Sequence, residues 1–164
     1  MKYLKYLILF FIGLLIIFLE TFVTNFMYHY ISVNFLMIYI VFISLYIDKN
    51  NSLVLAGILG ILSDLISGEI VGVTAILFLV ISYFISVVEK SIFKDKIGII
   101  CLLVFVISVF YSIINAVFSA IFFIPTPIIP VIVKSLILIP MANTIFAYIG
   151  YRIFGDKLKK LREE

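Results

Sequence analysis

Charged residues, cysteine and histidine are all scarce in this chain of 164 residues. Asp, Glu, Lys and Arg make up 13% of it, against roughly 25% in an ordinary soluble domain. The single cysteine and the single histidine exclude a disulfide framework and the paired Cys and His spacings of a zinc site. We also find no Ser, His and Asp arrangement and no phosphate-binding glycine loop. The sequence therefore predicts no enzyme and no bound cofactor.

Apolar residues dominate instead. They form 65% of the chain, and the mean hydropathy of +1.34 indicates an integral membrane protein. Because a spanning helix needs roughly 20 residues, the length leaves no room for a soluble catalytic domain beside six spans. We predict an all-α fold, a single transmembrane domain in which the second and third spans are short and Pro140 kinks the sixth. The apolar runs place the spans at about 6–22, 31–47, 53–66, 70–88, 97–124 and 128–154.

The cations test this count, because Lys and Arg collect on the cytoplasmic side of short loops. Eleven of the twelve lie near the N-terminus, at Lys49, within 90–96 or from Arg152 onward. The three intervening connections carry none. This alternation predicts that both termini face the cytoplasm and that residues 155–164 form a short basic tail there. Cations beside apolar runs are typical of membrane flanks, which meet lipid, and do not indicate nucleic acid.

Four charged residues lie in or near the outer half of the predicted spans: Glu20, Asp64, Glu69 and Lys134. Asp64 comes four residues before Gly68 and Lys134 four residues after Pro130, so their depths match. Ionisable side chains inside a membrane usually pair or face protein. We therefore predict an intramembrane charge pair, either Asp64 with Lys134 or Glu20 with Lys134. The alternative is that Lys134 reaches the headgroups alone and Glu20 simply ends its span.

Gly57, Gly60 and Asp64 fall at positions i, i+3 and i+7, on one face of a helix. Small residues let helices approach closely in lipid, so this face predicts a packing seam, with Asp64 pointing towards protein. The competing interpretation, a proton or ion relay, needs a chain of titratable groups across the membrane, and only the outer half offers them. Asn143 in the last run is expected to form an interhelical hydrogen bond.

The stretch from Gly57 to Ala75, with Gly60, Asp64, Gly68 and Gly72 at their spacing, resembles the rod shape-determining protein family MreD. Length, short loops, a short second span and a basic C-terminal tail are also similar. This sequence departs from the family pattern at one point. Members of the family often have a proline at the entry to the second span, whereas this sequence has Val33, Asn34 and Phe35 there.

The resemblance implies a non-enzymatic scaffold in the bacterial plasma membrane. Such a scaffold binds the single-span protein MreC and links it to MreB filaments and peptidoglycan synthases of the elongation machinery. We assign helix packing or partner binding to five residues: Gly57, Gly60, Asp64, Gly68 and Gly72.

The family also looks similar in fold to the S components of energy-coupling-factor transporters. A small-molecule uptake subunit is therefore the alternative function, and it would need a pocket with convergent polar groups. An ion carrier built around Glu20 and Asp64 is a third interpretation.

Overall fold

The computed structural model describes residues 2–27, 33–68, 70–89, 96–121 and 134–163. Within these ranges the chain forms six α-helices and no strand. Their bounds are α1 Lys2–Met27, α2 Phe35–Tyr46, α3 Lys49–Ser67, α4 Val73–Val88, α5 Ile97–Ile121 and α6 Ile139–Glu163.

Four segments of the described chain are long and apolar enough to cross a membrane: Leu4–Phe22, Lys49–Ser67, Ile97–Phe118 and Leu136–Leu161. The helices α2 and α4 are apolar but have only 12 and 16 residues. At about 1.5 Å per residue they extend roughly 18 and 24 Å, less than the roughly 30 Å of a hydrocarbon core. The chain is thus an all-helical protein with several helices that can span a membrane.

The positions of the short helices differ from the sequence prediction, which makes the second and third spans short. Helix α3 reaches 19 residues because it begins at Lys49, with the backbone N–H of Ser52 donating to the carbonyl oxygen of Asp48 at 2.9 Å. Helix α4 is short because the chain turns before it. Gly68 and Gly72 in that turn have φ of 70° and 99°, a left-handed conformation that glycine adopts without steric cost.

Helix α2 lies at the centre of the bundle and contacts all five other helices. Ten of its twelve residues are buried, and Met37, Ile40 and Leu45 are fully enclosed. A helix that is apolar on every side belongs inside protein rather than at its surface. The core is therefore built around the shortest helix.

Pro140 lies in the second position of α6. Proline has no N–H to donate to the carbonyl four residues earlier, here that of Leu136. A π-helical turn, Lys134–Leu138, lies directly before α6. The interruption that the sequence predicts at Pro140 is thus a widened turn on its N-terminal side.

Two hydrogen bonds join the start of α1 to the end of α6 and to the turn between α2 and α3. The Nζ atom of Lys5 donates to the carbonyl oxygen of Leu161, and the hydroxyl of Tyr6 donates to Oδ2 of Asp48 at 3.2 Å. The start of α1, the end of α6 and the turn between α2 and α3 therefore share one end of the bundle, named here the termini end. The turn from α3 to α4 lies at the opposite end.

Candidate helix-packing and partner-binding site

Helices α3 and α4 meet backbone to backbone at Gly60. A Cβ atom placed on Gly60 would lie 2.5 Å from Cα and 2.9 Å from N of Ala75, closer than side chains can approach. At Gly57 the same addition would meet only the side chain of Leu79, at 3.4 Å, which is an ordinary van der Waals contact. The two glycines share the face that the sequence predicts, and Gly60 marks the tighter approach.

Asp64 continues this face one turn further on and is fully buried. Its Oδ2 atom accepts the backbone N–H of Gly72 at 2.7 Å, and Gly72 is the N-cap residue of α4. The first N–H groups of a helix have no partner within the helix and carry its positive dipole end, so a carboxylate there is stabilising. Asp64 therefore caps the start of α4 from the end of α3.

The second oxygen of Asp64, Oδ1, is buried with no hydrogen-bond partner among the residues that the structure describes. The predicted partner, Lys134, begins the π-helical turn, but its side chain lies outside the described residues, as does all of Glu69. Gly68 is the left-handed C-cap of α3, and a Cβ placed on Gly68 or Gly72 would meet open space. These two glycines shape the turn and do not pack in the seam.

Glu20 plays the same part for α2 that Asp64 plays for α4. Its Oε2 atom accepts the backbone N–H of Leu36 at 2.9 Å, in the first turn of α2. The predicted pairing of Glu20 with Lys134 lies outside the described side chains. Each of these two acids, on a long helix, thus serves the N-terminus of the short helix that follows it.

Three further polar side chains complete the start of α2. The Oδ1 atom of Asn34 accepts the N–H of Met37 at 2.6 Å, and Oδ1 of Asn143 accepts the N–H of Asn34 at 2.9 Å. The Nδ2 atom of Asn143 donates to the hydroxyl of Ser108 at 2.9 Å. This cluster joins α2, α5 and α6. The sequence predicts the role of Asn143, whereas Asn34 could have been found from its position before an apolar helix, a preferred N-cap site.

The other end of α2 is joined to its neighbours by three buried serines, Ser44, Ser52 and Ser82. Their hydroxyls lie 2.7 Å apart between Ser44 and Ser52, 2.6 Å between Ser52 and Ser82, and 3.1 Å between Ser44 and Ser82. This serine triangle ties α2, α3 and α4 together. Sequence reasoning missed it, because nothing in the local pattern of a serine in a helix shows which distant serine it will meet.

The polar groups of this site are thus directed at helix ends and at one another. In the described part of the chain, no group of three or more His, Cys, Asp and Glu residues could hold a metal ion. The arrangement can fix short helices inside a bundle and leave apolar outer faces for lipid or another helix.

Comparison with models of known protein families matches residues 1–152 to the family described as rod shape-determining protein MreD. Among curated proteins no match is found. The solved structures likewise contain no match.

Proposed function

The chain belongs to the MreD family, and from this premise we propose that it is a non-enzymatic membrane scaffold of the bacterial cell-elongation machinery. The family is one of structural, shape-determining proteins, and the match over residues 1–152 is the observation that carries the proposal. In this role the chain binds an MreC-like single-span protein. The chain links that MreC-like protein to MreB filaments and peptidoglycan synthases. It contacts the filaments and the synthases either directly or through the MreC-like protein.

The geometry supports a scaffold in two ways. The described intramembrane acids, Glu20 and Asp64, accept hydrogen bonds from helix N-termini, which is a structural use of charge. The contact of Gly60 with Ala75 is backbone packing of the kind that small residues give membrane helices. A bundle that presents apolar faces is suited to holding other membrane proteins in place.

All six helices cross the plasma membrane in this proposal, and both termini face the cytoplasm. Lys5, Lys49 and Lys157 belong to the termini end or its flanks, which agrees with the preference of cations for the cytoplasmic side. On a Cys101→Ala background, we expect cysteines placed at Lys49 and Lys94 to react with an impermeant reagent only from the cytoplasm. Labelling at either position from outside would contradict this orientation.

The function is tested by complementation in a rod-shaped bacterium depleted of its own MreD. We expect this chain, expressed together with the MreC of its own source, to restore rods and to co-purify with that MreC. Gly60→Leu should lose both effects, and Gly60→Ala should weaken them. Gly57→Ala, the same one-carbon change at the looser contact, is the control matched to Gly60→Ala and should keep both effects. Round cells with correctly inserted chain and no co-purified MreC would refute the proposal.

We also propose that the bundle is similar in fold to the S components of energy-coupling-factor transporters. This similarity is the reason why small-molecule uptake is the alternative function. Cells that stay round but gain uptake of a vitamin when the chain is expressed would favour that alternative.

A further inference from the structure

We draw no further inference here: the strongest candidate, the buried Oδ1 atom of Asp64 between the end of α3 and the start of α4, belongs to the packing site already described and to the charge pair already predicted for it.

Discussion

The two short helices, α2 and α4, are fixed in the bundle by different means. Helix α4 lies against its neighbour in sequence, α3, at a glycine contact, with one carboxylate at its start. Helix α2 also has one carboxylate at its start, from Glu20, but it is fixed in addition by hydrogen bonds with side chains far away in sequence, at Asn143 and Ser82. A close backbone approach can be encoded locally by small residues, whereas a helix at the centre must take its polar partners from every side.

The largest expected effect concerns the charge on Asp64, which has one oxygen without a partner among described residues. If Lys134 supplies it, Lys134→Met should destabilise the protein by about 3–5 kcal/mol, the effect of stranding one member of a buried pair. Asp64→Asn should also destabilise it, while the double variant should recover part of the loss. Thermal unfolding in detergent measures these changes in stability, with unfolding detected by the reaction of a thiol-specific dye with the partly buried Cys101.

Glu20→Gln is the control for that double-variant cycle. Coupling of Lys134→Met to Glu20→Gln, in place of Asp64→Asn, would show that Lys134 pairs with α1. Strict additivity with both acids would show that Lys134 has no acidic partner.

The next largest effect is expected at the glycine contact between α3 and α4. Gly60→Ala places a methyl group against the backbone of Ala75 and should destabilise the protein by about 1–3 kcal/mol, as overpacking does. Gly57→Ala makes the same change where the neighbour is a side chain in ordinary contact, so its unfolding temperature should hold or rise. Equal effects of the two substitutions would contradict the assignment of Gly60 as the tight point.

For α2 the matching test is Asn143→Leu, which removes the acceptor of the Asn34 N–H and the donor to Ser108. Hydrogen bonds between membrane helices contribute about 0.6–2 kcal/mol, and we expect a loss in that range. Thr144→Val is the neighbouring control, since the Thr144 hydroxyl donates only one turn back, to the carbonyl oxygen of Pro140. A loss for Thr144→Val as large as that for Asn143→Leu would argue against the cluster.

The smallest effect is expected at the serine triangle. Ser52→Ala leaves the hydroxyls of Ser44 and Ser82 with one partner fewer each. We expect it to lower the free energy of unfolding by about 1 kcal/mol. Replacing all three serines by alanine removes the unsatisfied groups as well, so the triple variant should lose less than three times the single effect. A triple loss equal to or above that sum would mean that the three hydroxyls act independently.

Much of the fold could be predicted from the sequence, because composition and apolar runs fix the number of helices. The face shared by Gly57, Gly60 and Asp64 could also be predicted, since it depends on helical spacing alone. The use of Asp64 as a cap could not. The sequence supplies a matching cation at Lys134, but it does not show that a turn brings the N–H of Gly72 to the Asp64 carboxylate. The same holds for Asn34 and Ser108, whose partners lie on other helices.

The central position of α2 has a consequence for how the protein is made. In the proposed topology, the N–H groups at the start of α2 need acceptors inside the membrane, where water supplies none. The ribosome has already released Glu20 when α2 emerges, but Asn143, which accepts the N–H of Asn34, follows 109 residues later. The carboxylate of Glu20 is therefore available to the new helix from the start, and the amide of Asn143 arrives only when synthesis is nearly complete.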